Sequence, residues 1–345
     1  MNGVNIMKNK ICIAGNIVLD LLYPISGYPT PGKLTTITDI GKTVGGSVPN
    51  VGIDIARLMP DVKVSGLGLV GTDENGDYVL ERLNAEGIDT STIYRRGATS
   101  FTAVMSDNFT RERTFFHFRG ANAEFCEDSF NWDDVDCDLL HIAYILLLDA
   151  LDVEDDEYGT KMARLLAHAK ERGIKTSIDV VSESGERFMK LVPPALKYTD
   201  YCIINEIEAS ESTGIPLRDE NGALLYDNLP KALAALFELG VGEWAVIHCP
   251  EGGFGMDKDG NLYSCGQINL PKDAIKGKVG AGDAFCAGML CAAHRGMNLG
   301  DALLLANCAA TMSLTEPGAT EAMGTIEEAL RYADIYGVAD SGAAF

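Results

Sequence analysis

No stretch of this chain is apolar for the ~20 residues that a membrane-spanning helix requires. The longest apolar run, residues 139–148, is interrupted by His141 and stops at Asp149. The opening MNGVNIMKNKICIAGN also lacks the apolar stretch that leads a secreted protein across a membrane. No place in or on a membrane is expected. Positive charge is scarce: 28 Lys and Arg stand against 50 Asp and Glu, a net charge of -22. So acidic a surface repels a phosphate backbone, which argues against a nucleic-acid partner. A phosphate-bearing ligand would have to be small and held locally, by backbone N–H groups, a metal ion or a few lysines. A C-x-x-C pair is missing too. The nine cysteines are scattered and mostly lie in apolar stretches, so they read as free core thiols in a reducing compartment, and the protein as cytoplasmic. Internal repeats and low-complexity segments are absent.

What is present suits one large α/β domain carrying an insertion: 345 residues, 46% hydrophobic and 23% charged. Strand-like runs at 10–16, 62–70, 139–147, 175–178, 201–204 and 244–249 alternate with helical patterns at 48–59, 75–85, near 156–172, from 206, and at 230–239. A hairpin at 255–265, two long helices at 281–295 and 299–314, and a frayed tail after Gly337 complete the pattern. Such alternation predicts an α/β fold, a doubly wound and mostly parallel sheet flanked by helices. Two stretches leave it. Residues 21–45 are rich in Pro, Gly and Thr, and residues 93–120 alternate in β fashion around a turn at Asp107-Asn108. They are expected to pair as a small β-sheet lid, with the core formed by 1–20, 46–92 and 121–345.

Three glycine patterns compete as phosphate cradles. Gly41-Lys42-Thr43 ends like a P-loop, but the required first glycine would be at position 36, which is Thr36. Gly66-x-Gly68-x-x-Gly71 satisfies a dinucleotide fingerprint, yet Asp73 and Glu74 follow where a pyrophosphate would meet the helix, so turn glycines and an acidic cap account for it. The third run, Gly277 to Phe285 (GKVGAGDAF), opens an apolar helix. Gly280, Ala281 and Gly282 lack bulk, so successive N–H groups can converge on an anion at the helix N-terminus. Asp283 sits in the first turn, aimed at the same spot, and can serve as a base.

GAGDAFCAG resembles the C-terminal signature of the PfkB carbohydrate kinases, within the ribokinase-like superfamily. Residues Gly45 to Leu58 resemble its N-terminal signature, G-G-x-x-x-N followed by a helix. Gly71 to Gly76 is similar to the family's G-x-D-x-x-G turn, Asn205-x-x-Glu208 to its N-x-x-E motif, and Asn307 lies in a stretch like its late nucleotide-side helix. The likeness spans about residues 11–320. It implies a ribokinase-like fold with a β-lid, and transfer of the ATP γ-phosphoryl group to a hydroxyl of a small carbohydrate, with Mg2+. Residue by residue, it implies Asp283 as general base and Gly280, Ala281 and Gly282 as anion hole. Asp20, closing G-x-x-x-x-D from Gly15, would accept substrate hydroxyls, with Gly45, Gly46 and Asn50 beside it. Asn205, Glu208, Gly253 and Asn307 would meet the nucleotide, Glu208 reaching the metal indirectly through water.

The departures carry their own expectations. Gly277-Lys278 replaces the family's usual D-T, so the Asp that commonly helps hold a monovalent cation is missing and that cation is left open. The Lys278 ammonium either supplies charge near the anion hole or is a solvated surface lysine. His248 to Gly253 (HCPEGG) replaces T-L-G-x-x-G, with Gly253 alone in register, so the phosphoryl donor is left open and His248 reads as structural. In the lid, Arg111, Arg113 and Arg119 either meet an acidic group of the acceptor or point to solvent. A sugar, a sugar acid and a nucleoside all stay open as substrate, as do a nucleoside kinase, a non-catalytic sugar-binding sensor, a dimer paired through the lids and a monomer.

Overall fold

The structure is a computed structural model that describes residues 9–110, 112–181 and 187–345; Arg111, residues 182–186 and the first eight residues lie outside the described ones. The first apolar run forms β1 (Lys10–Gly15), and the chain leaves directly into β2 (Val18–Ile25) and β3 (Gly41–Gly45). Then come α1 (Ser47–Leu58), β4 (Lys63–Val70), α2 (Glu74–Ala85), β5 (Asp89–Arg95), β6 (Phe101–Asp107), β7 (Arg113–Phe118) and β8 (Leu139–Ile145). A two-rung hairpin, β9 (Glu154–Asp155) and β10 (Gly159–Thr160), precedes α3 (Lys161–Glu171), β11 (Lys175–Val180), α4 (Arg187–Leu196), β12 (Tyr201–Asn205), α5 (Glu206–Thr213) and α6 (Leu229–Glu238). The chain closes with β13 (Trp244–Cys249), β14 (Gly252–Asp257), β15 (Leu262–Gly266), α7 (Ala281–His294), α8 (Leu299–Ser313) and α9 (Ile326–Tyr336).

Nine strands form the main sheet in the order β15-β14-β13-β12-β11-β8-β1-β4-β5, parallel from β13 to β5 and antiparallel across the β13–β14–β15 edge. Strand alternation divides the core between two faces: Ile11 and Ile13 pack with α1, α7 and α8, while Cys12 and Ala14 pack with α3, α4 and α6. From β1 the chain winds one way through β4 and β5, and the other way through β8, β11 and β12. The order reverses between β1 and β8, and in such sheets ligands gather outside the carboxyl ends of the strands at that reversal. There the backbones nearly touch. A Cβ on Gly15 (φ 108°) would lie 2.0 Å from the Ala143 carbonyl oxygen, so only glycine fits.

The lid is a four-stranded sheet, β3-β2-β6-β7, built from the two β-rich excursions. Its strands begin at Val18 and Phe101, and Ile93 to Arg95 belong instead to β5, the edge of the main sheet. Three other features differ from the sequence expectation. Helix α4 forms across Pro193 and Pro194 because Phe188, Leu191, Val192, Ala195 and Leu196 give it a buried face. The β9–β10 hairpin delays α3 to Lys161. The tail is docked rather than frayed: the Ala339 N–H donates to the Gln267 carbonyl at 2.9 Å, Ser264 Oγ donates to the Phe345 carbonyl at 3.0 Å, and the Phe345 ring meets Phe254.

Candidate active site

Helix α7 begins with a turn that only glycine can make. Gly280 has φ 77°, and a Cβ there would lie 2.6 Å from Ala319 Cβ. The first helical hydrogen bond runs from the Ala284 N–H to the Gly280 carbonyl at 2.8 Å, so the N–H groups of Ala281, Gly282 and Asp283 precede the ladder and point out of the helix end. Asp283 lies in that first turn, buried. Its Oδ1 accepts the Tyr144 hydroxyl at 2.6 Å and its Oδ2 accepts the Asn50 amide at 2.9 Å. Burial raises its carboxyl above the ordinary value while the two donors work against that. The result is a carboxylate with raised proton affinity, the property a general base needs.

Two cavities meet at this helix end. The smaller, about 270 Å³, is lined by Gly280 to Asp283 together with Tyr144, Asp179 and Glu208. The larger, about 520 Å³, runs between β12, the β13–β14 turn, α7 and α8, with walls from Ile207, Ile268, Phe285 and Leu314. Asn205, His248, Lys278, Ala281 and Gly282 line both, so the two spaces share a rim. An elongated ligand with an apolar end and a charged end fits that pair of spaces.

Most of the residues singled out from sequence converge here. Asn205 caps α5, accepting the Ile207 and Glu208 N–H groups, while Glu208 Oε2 accepts the Asn205 N–H at 2.9 Å; capping and lining the cavity are done by the same pair. Lys278 reaches both cavities and makes no ion pair among the described residues. Asn307 lines the larger cavity, but its amide donates to the Cys265 and Gly266 carbonyls at 2.9 and 3.2 Å, tying α8 to β15. Gly253 is set apart: it is buried against Phe285 and Leu303, and its neighbour Gly252 is the one that faces the cavity. His248, read as structural, stacks on Phe285 with ring centroids 4.9 Å apart yet stands on the shared rim, because alternate residues of β13 face α7. Burial alone lowers its imidazole to about 4, so it is neutral.

On the other side, Asp20 from β2 lies against the Gly45-Gly46 turn, where a Cβ on Gly45 would come within 2.3 Å of its carboxylate. Gly46 (φ 85°) leads into α1, whose first turn carries Asn50 to Asp283. Asn50 thus holds Asp283 itself. Strand pairing aligns Thr43, Asp20, Thr102 and His117 in one row across the lid. His117 Nδ1 lies 3.0 Å from Thr102 Oγ1, and Thr102 is in turn bonded to Asp20. Arg119, two residues on, donates to the Leu146 carbonyl at 3.2 Å and pairs with Asp149 at 3.0 Å, bridging the lid to the segment after β8. Arg113 is exposed on β7, away from any cavity described here.

Four residues escaped the sequence reading. Tyr144 and Asp179 end parallel strands beside the topological reversal, and that position was the available signal. Asp179 is buried, and burial, with Glu208 and Asp283 nearby, holds its carboxyl well above the ordinary range. Asp54, one turn beyond Asn50 on α1, is fully buried with neither carboxyl oxygen hydrogen-bonded. Arg57, a turn further, donates to Glu86 and, at 2.5 Å, to the Thr320 carbonyl; it fastens α1 to the loop that packs on Gly277 and Gly280.

Residues 8–326 match the pfkB family of carbohydrate kinases. The chain belongs to that family. Its general chemistry is therefore that of an ATP-dependent kinase acting on small carbohydrates or nucleosides. It is 24% identical to a ribokinase of Staphylococcus aureus over 93% of this chain and 99% of that protein. It is 25% identical to a 5-dehydro-2-deoxygluconokinase of Lacticaseibacillus casei, over 83% of this chain and 85% of the other. An Arabidopsis thaliana ribokinase solved with ribose and ATP superposes with a TM-score of 0.78, 19% identity and coverage of 93% and 97%, which establishes the pfkB fold with its lid. No helix among the described residues is long and apolar enough to cross a membrane.

Proposed function

We propose that the protein transfers the γ-phosphoryl group of ATP to a hydroxyl of a small carbohydrate, with Asp283 as general base and the N–H groups of Gly280 to Gly282 as anion hole. One observation carries this reading: a buried carboxylate, held by two donors, stands at the mouth of the same helix end whose N–H groups face the cavity. The acceptor proton passes to Asp283, the freed oxygen attacks the γ-phosphorus, and ADP leaves. The helix end is aligned beforehand and stabilises charge on the moving phosphoryl group. Asp179 and Glu208, two carboxylates facing one cavity, fit a Mg2+ that keeps most of its waters, and a bound Mg2+ would neutralise phosphate charge. Lys278, on the shared rim, takes the place of a monovalent cation.

The acceptor is read by the lid row. Asp20 accepts sugar hydroxyls, and Thr102 and His117 continue the same row, with Arg119 just past the end of the strand, which supports an acceptor with several hydroxyls and favours a sugar or sugar acid over a nucleoside. The names of the bacterial relatives, a ribokinase and a 5-dehydro-2-deoxygluconokinase, are in keeping with that choice. The lid also exposes Phe115, Phe116 and Phe118 on edge strand β7, which supports a dimer joined lid to lid. The test is ADP release over a panel of pentoses, sugar acids and nucleosides, alongside thermal shifts. Turnover with a sugar, and a loss of about 10² to 10⁴ in kcat for Asp283→Asn, are expected. A sugar that raises the melting temperature with no turnover would instead establish a sensor.

A further inference from the structure

Both oxygens of Asp283 are already engaged. Oδ2 is held by the Asn50 amide, which can only donate through that nitrogen, and Oδ1 by the Tyr144 hydroxyl at 2.6 Å. A phenol differs from an amide nitrogen in one respect: while it donates its proton it keeps lone pairs that accept another. Tyr144 lines the small cavity beside Gly280, Ala281 and Gly282, where the acceptor hydroxyl has to meet the phosphoryl group. An incoming hydroxyl can reach Tyr144 Oη without displacing any bond that the base already makes.

We propose that Tyr144 is a catalytic residue that relays the proton from the acceptor to Asp283. In this step the acceptor O–H gives its proton to Tyr144 Oη while the Tyr144 proton passes to Asp283 Oδ1. The acceptor oxygen forms its bond to the γ-phosphorus as the bond from that phosphorus to the ADP oxygen breaks. The phenol ends neutral, with the acceptor's proton, and Asp283 ends as a carboxylic acid that releases its proton after product leaves. Burial first, and then the Asp283 charge, keep the phenol protonated throughout, so it always has a proton to pass on. The inference rests on Asp283 being the base.

The experiment compares Tyr144→Phe with Asp283→Asn across pH 6 to 9, with melting temperature and ADP affinity measured on both. With a relay, the plateau kcat of Tyr144→Phe falls by about 10² or more and does not recover at high pH, while KM for both substrates stays within about threefold. If Tyr144 only positions the base, removing it frees Oδ1 for direct attack: the acidic limb moves and the plateau returns to the wild-type value, which overturns the relay. Incorporation of 3-fluorotyrosine at position 144 tests the same proton without altering the packing, and an unchanged plateau there overturns it as well. An Asp283→Asn enzyme with full turnover would sink the general-base reading itself. An inactive Asp283→Asn beside a fully active Tyr144→Phe would sink only the relay.

Discussion

The two sides of the cleft are built from different material. The proposed donor side is made by the main sheet and two long buried helices, α7 and α8, and its decisive groups are backbone N–H groups, a glycine turn and an apolar wall. The proposed acceptor side is half lid: Asp20, Thr102 and His117 project from a four-stranded sheet whose β7 is exposed along its whole length, and Arg119 follows that strand. Chemistry that depends on backbone geometry tolerates few residue types, so it leaves a motif in the sequence. A row of side chains on a thin sheet can be exchanged without disturbing a core, so it leaves none. The reaction is legible from motifs and the acceptor is not.

That contrast can be broken at several points. The largest effect is expected on the donor side. Gly280→Ala forces a side chain into Ala319 and a left-handed backbone, and should cost about 10² to 10³ in kcat with acceptor KM little changed, as steady-state kinetics would show. Next comes Asp20→Asn, with about a tenfold rise in acceptor KM and an unchanged kcat. This site also titrates. Burial pushes the Asp20 carboxyl up to about 6, with the Thr102 hydrogen bond opposing it, so the ionised form, the one proposed to accept hydroxyls, grows in as pH rises through 6. Acceptor affinity of the wild type should climb between pH 5 and 7, and that of the variant should stay flat. Lys278→Ala should raise KM for ATP about fivefold and leave the acceptor alone; strong potassium activation of the wild type with a silent Lys278→Ala would refute its role.

The smallest effect sharpens the contrast from between the two sides. Asp54 is a buried carboxyl with no hydrogen-bond partner, so Asp54→Ala should stabilise the protein by about 1 kcal/mol, roughly 2 °C in calorimetry. Burial, the first cause, and then Asp283 hold its carboxyl well above the ordinary value in the folded state. The folded protein therefore binds this proton more tightly than the unfolded chain, and stability from it is lost as pH rises above the unfolded value near 4. The advantage of the variant should widen from pH 5 to pH 8. A gap that narrows would mean the carboxylate has found a partner.

Much of the fold could be read locally. Apolar runs ending in glycine marked β1 and β4, and the small-residue turn before an apolar helix marked α7, because each is set by neighbours in the chain. Asp73 as the cap of α2, accepting the Gly76 N–H at 2.9 Å, was local in the same way. What could not be read depends on residues far apart in sequence. The Asn50–Asp283 and Tyr144–Asp283 bonds join positions 233 and 139 residues apart, and no periodicity encodes them. Gly253 matched a motif in register, yet it packs against Phe285 and Leu303 and leaves the cavity wall to Gly252. Proline content concealed α4, whose stability comes from its buried face and not from its own preference.

Arg57 spans the divide between these regions. Its guanidinium ties the helix that presents Asn50 to Glu86 at the end of α2 and, through the Thr320 carbonyl, to the loop behind Gly280. A strut of this kind makes retuning one side mechanically costly for the other: changes made through α1 to the proposed sugar pocket would transmit displacement into the turn at Gly280. Engineers seeking a new acceptor should therefore work on the lid strands, whose own strut, Arg119, ties them to Asp149 and the Leu146 carbonyl and not to the loop that packs on Gly280.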